Sequence, residues 1–180
     1  MGSSSSSAAN AEASAGSPAT EIECPDVTVR RGASTLSMSA NPAEPSAMNL
    51  RYQVTIVDTA RECRLAGGLV TMRVGVQGRV IIGPAGTPGQ IDIPLRLAVV
   101  EEGLQPKAIT SKLQRIPVTV PGDNVTFTHV EDQVTFPMPP GAAISSYVVY
   151  VGFDPIGARE FERRRPERKP PPRQPPRRAT

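Results

Sequence analysis

The feature that most constrains the fold is a two-residue alternation of apolar and polar side chains along two neighbouring segments. The apolar positions are Leu50, Tyr52, Val54 and Ile56 in the first segment, and Val70, Met72, Val74 and Val76 in the second. Successive side chains of a β-strand point to opposite faces, so this pattern indicates half-buried strands. Gly67 and Gly68 lie between the segments and favour a turn. The sequence therefore predicts two strands, each with one face on a core.

Similar runs recur along the middle of the chain, separated by turns rich in Gly and Pro. The predicted strands cover residues 24–31, 34–39, 50–64, 69–82, 90–101, 107–120, 125–136 and 144–153. Because no segment carries a helical apolar stripe, we expect an all-β fold, a single antiparallel β-sandwich of seven or eight strands. Trp is absent, so the immunoglobulin-like description applies to the architecture only. A sheet closed on itself is the alternative.

Proline and glycine residues inside the predicted strands carry further information. Pro94 has no backbone N–H, so the strand at 90–101 is expected at a sheet edge or beside a bulge. Gly75 and Gly78 suggest a bulge or a close approach of another part of the chain.

The two ends of the chain differ in composition from the middle. Residues 1–21 are rich in Ser and Ala, and residues 157–180 are rich in Arg and Pro. Such segments do not bury enough apolar surface to offset the entropy of ordering them. The prediction is a disordered linker at 1–21, a β-sandwich domain at 22–156 and a disordered basic tail at 157–180.

The positive charge is concentrated in the tail. From residue 159 onward there are nine basic and three acidic residues, a net +6, so the rest of the chain carries −3 of the total +3. The residues expected to contact a partner are Arg163, Arg164, Arg165, Arg168, Lys169, Arg173, Arg177 and Arg178. The expected partner is an anionic envelope polymer or a membrane surface. A solvated, unselective tail is the plain alternative.

A protein partner is a further alternative for the tail. Pro172-Arg-Gln-Pro175 has the spacing recognised by aromatic grooves that bind polyproline helices. Aromatic residues do not alternate with the basic ones, which argues against nucleic acid held by base stacking. The sequence leaves the oligomeric state open.

The two cysteines, Cys24 and Cys63, do not form a Cys-x-x-Cys pair, and His129 is distant from both in sequence. This arrangement predicts neither a metal site nor a cofactor. A disulfide between them would close a loop of about 40 residues. Two buried free thiols are the alternative, and they would suit a reducing compartment.

A single histidine limits the scope for catalysis. His129 is followed by Glu131 and Asp132, which would allow a hydrolase to pair an imidazole with a carboxylate. The simpler interpretation is a strand residue with solvated acidic neighbours. No nucleophile elbow, zinc-protease motif or phosphate loop is present, so we expect no enzyme. A ligand-binding module that uses the Gly- and Pro-rich loop at 83–89 is the alternative function.

Several of these segments resemble a family of uncharacterised alphaproteobacterial envelope lipoproteins. The resemblance lies in Ile22-Glu-Cys-Pro-Asp-Val-Thr-Val-Arg-Arg-Gly-Ala-Ser-Thr-Leu36, in Leu50-Arg-Tyr-Gln-Val-Thr-Ile-Val-Asp-Thr-Ala-Arg-Glu-Cys63, and in residues 72–76, 78–86 and 94–100. In that family a lipidated Cys ends the signal peptide and a Ser-rich linker follows. The serines after Gly2 look like this linker, and Met1 stands where the family has the lipidated Cys.

The resemblance implies a location but no activity. It implies a periplasmic domain anchored to the outer membrane as a lipoprotein, and it favours the disulfide between Cys24 and Cys63. Without it, the lack of a signal peptide favours the cytoplasm. The expected function is that of a non-enzymatic structural or interaction protein of the cell envelope, with its basic tail on an anionic polymer or a protein partner.

Overall fold

Two β-sheets packed face to face make up most of residues 18–165, the part of the chain that the computed structural model describes. The strands are β1 (Thr20–Glu21), β2 (Asp26–Val29), β3 (Thr35–Ser39), β4 (Leu50–Ala66), β5 (Leu69–Ile82), β6 (Gly89–Glu101), β7 (Lys107–Val120), β8 (Asn124–Pro137) and β9 (Tyr147–Phe153). One α-helix, α1 (Pro155–Arg164), follows β9, and 3-10 turns occur at Ala47–Asn49 and Gly141–Ser146. The predicted β-sandwich is confirmed, with nine strands in the described residues instead of seven or eight.

The strands are divided between the sheets in a fixed order. The first sheet runs β1–β4–β5–β8, with β3 also paired to β4, and the second runs β2–β9–β6–β7. All pairs are antiparallel except β2 and β9, which lie parallel. The chain passes between the sheets at the β1–β2, β2–β3, β5–β6, β7–β8 and β8–β9 connections.

The core lies between the two sheets and consists of the inward positions that the alternation predicts. Tyr52, Val54 and Ile56 of β4 are buried, and β5 contributes Val70, Met72, Val74, Val76 and Val80. The second sheet contributes Ile93, Leu95, Leu97, Val99, Val149 and Val151. Nearly all are aliphatic, and each buried side chain stabilises the fold by roughly 1.5–3 kcal/mol relative to leaving it exposed.

Gly78 has the local role that its chemistry predicts, but the expectation for Pro94 is wrong, because β6 lies between β9 and β7 and its register shift is at Val99/Val100. Gly78 lies beside the bulge between Ile56 and Asp58, and the ring of Phe127 occupies the space that a side chain there would need. Pro94 belongs to an inner strand, but the pairing of β6 with β9 begins only at Leu95. The Pro94 carbonyl accepts the Asp154 N–H at 3.0 Å, so Pro94 lies at the end of the β6–β9 ladder, where its missing N–H interrupts no paired residues.

A disulfide and an ion pair join the two sheets along one open side of the sandwich. Cys24 precedes β2 and Cys63 lies on β4; their Cα atoms are 5.4 Å apart and they are separated by 39 residues. On the same two elements, Arg61 Nη2 lies 2.8 Å from Asp26 Oδ1. Cys63 is buried, so the bond is part of the core and not an exposed link.

The ordered structure extends beyond both predicted domain boundaries. β1 begins at Thr20, within the predicted linker, because it pairs with Leu65 and Arg64 of β4. At the other end, α1 includes residues that were predicted to be disordered. Only Ala158 of this helix is buried, so the sequence carries no apolar stripe that would reveal it. Among residues 18–165 no helix has the length and apolar character needed to cross a bilayer.

Removing the disulfide should destabilise the domain without changing its fold. For a loop of this length the chain-entropy model gives a loss of about 4 kcal/mol in the free energy of unfolding. Urea denaturation of the Cys24→Ala/Cys63→Ala variant measures this loss. Reductant should shift the midpoint of the parent protein and leave that of the variant unchanged. Equal midpoints for the oxidised and reduced parent would contradict the assigned role.

Candidate functional site

Asp154 fixes the start of α1 against the second sheet. One carboxylate oxygen accepts a hydrogen bond from the Gly157 N–H at 2.8 Å, and the other lies 2.6 Å from Arg96 Nε on β6. Partial burial opposes ionisation of this carboxyl, but the Gly157 N–H and the Arg96 guanidinium outweigh it and lower its pKa below 3.8. Asp154 is therefore both the helix cap and an ionic link to the sheet.

Arg115 of β7 holds the middle of the helix. Its Nη2 lies 2.9 Å from Glu162 Oε1 and donates to the carbonyl oxygen of Ala158 at 3.3 Å. Arg96 Nη1 also donates to Ser111 Oγ at 2.8 Å. The helix thus lies across the outer face of β6 and β7, and polar contacts from two arginines of the sheet hold it there.

The helix brings three of the predicted contact residues onto this face. Arg163, Arg164 and Arg165 are exposed at its C-terminal end. The remaining predicted contact residues lie outside the described residues; they are Arg168, Lys169, Arg173, Arg177 and Arg178. The helix also carries two exposed apolar side chains, Ile156 at 62% and Phe161 at 67% of their full accessible area.

A cleft of about 530 Å³ separates α1 from β6 and β7 on one flank of the helix. Its lining residues are Arg96, Leu113, Arg115, Gly157, Glu160, Phe161 and Arg164. A second depression, on the other flank, is lined by residues of the helix alone, which are Ile156, Arg159, Glu162 and Arg163. The first cleft therefore combines residues from the helix and the sheet, and it is the candidate site.

His129 belongs to a closed polar network between β7 and β8. Its Nε2 lies 2.6 Å from Gln114 Oε1, and the Gln114 amide donates to Glu131. Lys112 Nζ lies 2.9 Å from Glu131 Oε2, and the Gln133 N–H donates to Oε1 at 3.1 Å. Glu131 is only 4% exposed, so these donors balance a buried negative charge.

The surroundings of His129 explain the direction in which its pKa is shifted. Burial is the main cause that lowers the pKa of His129 below 6.5, and the charge of Lys112 lowers it further, against the opposing effect of Glu131. Within residues 18–165 no hydroxyl or thiol hydrogen-bonds to the ring. The acidic partner in the network is Glu131, whereas Asp132 is exposed. The expectation of solvated acidic neighbours is thus wrong for Glu131, because β8 turns this side chain inward.

The loop at 83–89, the alternative ligand site, is tied down onto β4. The Gly83 and Ala85 N–H groups donate to the carbonyl oxygens of Arg51 and Leu50 at 2.8 and 3.0 Å. The Tyr52 hydroxyl donates to the Thr87 carbonyl at 2.5 Å. No residue of this loop lines the clefts described above. Within the described part of the chain, no group of three His, Cys, Asp or Glu side chains could hold a metal ion.

Comparison with known proteins gives no further assignment. No protein-family model, curated protein or solved structure matches the chain. The candidate site is therefore defined by its own geometry alone.

We expect the loop to be intolerant of a side chain at Gly86. A methyl group there would overlap the Arg51 carbonyl oxygen, whereas one at Gly89 would meet nothing within 4 Å. Gly86→Ala should lower the free energy of unfolding by about 1–3 kcal/mol, as overpacking does. Gly89→Ala is the control and should change it by less than about 0.5 kcal/mol. Urea denaturation of both variants measures the difference, and equal stabilities would contradict the packing of the loop.

We expect His129 to make the stability of the domain depend on pH. Its pKa is lower in the folded state, so the unfolded chain binds a proton first as the pH falls. The stabilisation is present above pH 6.5 and is lost as the pH falls through the lower, folded-state pKa. His129→Gln cannot titrate, and its free energy of unfolding should decline less between pH 7.5 and 5. Urea curves at several pH values measure this; parallel profiles for the two proteins would contradict it.

Proposed function

We propose that the protein is a non-enzymatic interaction protein of the bacterial cell envelope. Its basic C-terminal region, which comprises α1 and the residues after it, contacts an anionic polymer or surface. The observation that carries this proposal is the attachment of α1 to the sheet through Asp154 and Arg115. This attachment fixes the position of the exposed arginines at residues 163–165 relative to the domain.

Charge supports an anionic partner. The chain after residue 165 adds five more basic residues and only one acidic residue, Glu167. Clustered arginines bind phosphates and carboxylates through several N–H donors at once. Long-range attraction of this kind weakens as salt increases, because screening and ion release are its physical basis.

The disulfide supports an extracytoplasmic location. Such bonds form and persist in oxidising compartments, which include the periplasm. A single bond that joins the two sheets suits a domain that works where reduction is slow. A lipid anchor ahead of the Ser-rich linker belongs to this proposal through the family resemblance, and it would keep the domain close to the membrane.

The test uses heparin as an anionic polymer without apolar parts. Deleting residues 166–180 should weaken binding of the full-length protein at least about tenfold and make the dependence on salt shallower. Arg163→Gln/Arg164→Gln/Arg165→Gln in the truncated chain should weaken it further. Isothermal titration at several salt concentrations measures both effects.

The matched control is Arg79→Gln, which removes one exposed arginine from β5 in the other sheet. It should leave the affinity for heparin unchanged within about twofold, because screening limits charges that lie far from the contact. Unchanged binding after the deletion and the triple substitution would refute the proposal.

A further inference from the structure

We propose that the cleft between α1 and the strands β6 and β7 binds an amphiphilic anion. The ligand class is a phosphate or carboxylate carried on an aliphatic chain. This inference rests on the proposed function and names the chemistry of one of its ligands. It depends on the two different halves of the cleft, one cationic and one apolar.

In the cationic half of the cleft, two arginines are already held in place by other side chains. Arg96 is held by Asp154 and Ser111, and Arg115 is held by Glu162. These contacts use only some of the N–H donors of each guanidinium and fix the direction of the rest. Arginines that are already ordered lose little further entropy when they bind an anion.

Arg164 is the third arginine of the cleft. Within residues 18–165 it forms no ion pair, and it lines the same cleft as Arg96 and Arg115. Glu160 is the one acidic residue in the lining. The lining therefore contains three arginines and one glutamate. Because Asp154 and Glu162 pair with Arg96 and Arg115, an anion would meet the N–H donors that these two arginines keep unused, together with the guanidinium of Arg164.

The apolar half of the cleft favours a ligand that carries an aliphatic chain. Phe161 is 67% exposed, and Leu113 of β7 lines the cleft beside it. An aliphatic chain would cover this surface and gain the usual hydrophobic stabilisation, whereas a purely polar polymer would leave the ring in water. The volume of about 530 Å³ is within the usual range for small-molecule sites.

The opposite flank of α1 provides an internal control. It also carries an exposed apolar residue and an exposed arginine, Ile156 and Arg159. However, no residue of the sheet lines that depression, so it lacks the ordered arginines Arg96 and Arg115. The two flanks thus carry similar helix side chains and differ in whether ordered arginines of the sheet lie beside them.

The experiment measures binding of dodecyl phosphate, kept below its critical micelle concentration, to the full-length protein by isothermal titration. Phe161→Ala and Arg164→Gln should each weaken binding about tenfold, the effect expected for residues that contact a ligand directly. Ile156→Ala and Arg159→Gln should leave it unchanged within about twofold. Inorganic phosphate, which lacks the chain, should bind at least about tenfold more weakly than dodecyl phosphate.

Vesicles of phosphatidylcholine with phosphatidylglycerol distinguish the two sources of such a ligand. If Phe161→Ala weakens binding to both vesicles and dodecyl phosphate, the ligand of the cleft is a membrane lipid. If Phe161→Ala weakens binding to dodecyl phosphate alone, the ligand is a free amphiphile. Both outcomes support the proposed chemistry.

Three results would overturn the inference: no binding of dodecyl phosphate, equal effects of substitutions on the two flanks, or equal binding of inorganic phosphate. Heparin binding separates this failure from that of the proposed function. If heparin binding still depends on residues 166–180 while the cleft variants behave like the controls, only the cleft assignment fails. All four variants are exposed positions on the helix, so loss of folding is not expected and thermal unfolding checks it.

Discussion

The fold depends on the contacts that join the two sheets at the sides of the sandwich. Apolar side chains hold the middle of the sandwich, but each open side requires an interaction of its own. On one side the Cys24–Cys63 disulfide and the Arg61–Asp26 ion pair join β2 to β4. On the other side, Glu131 of β8 accepts a hydrogen bond from Gln114 and forms an ion pair with Lys112, both on β7. Polar and covalent contacts thus enclose an aliphatic core.

Because these contacts lie between the sheets and at the sides of the sandwich, the outer face of the second sheet is free for α1. The helix buries only Ala158, so apolar packing contributes little to its position. An isolated helix of this length would be marginal in water, and its order depends on Asp154 and Arg115. The same contacts order the arginines of the cleft. Docking of the helix and preparation of the candidate site are therefore one structural event.

The sequence predicts the strands well and the site poorly, and both outcomes have a physical cause. Alternation in β5 gives its limits, Leu69–Ile82, because one face packs on a core and the other meets water. α1 has no such signature, since its contacts are to arginines more than 40 residues away along the chain. The burial of Glu131 is hidden from the sequence for the same reason. The sequence shows that Glu131 lies in a strand, but its partners Lys112 and Gln114 come close to it only in the folded chain.

The parallel pairing of β2 with β9 has a mechanical consequence. Asp26 pairs with Val148 and Val29 with Val151, so the chain enters β2 at one end of this pair and leaves β9 at the other. A pull on the chain before β2 and after β9 would load the backbone hydrogen bonds of the pair in shear, all together and not one after another, and the Cys24–Cys63 bond would carry part of the load to β4. A domain held at both ends would then resist extension along the axis on which its two attachments pull.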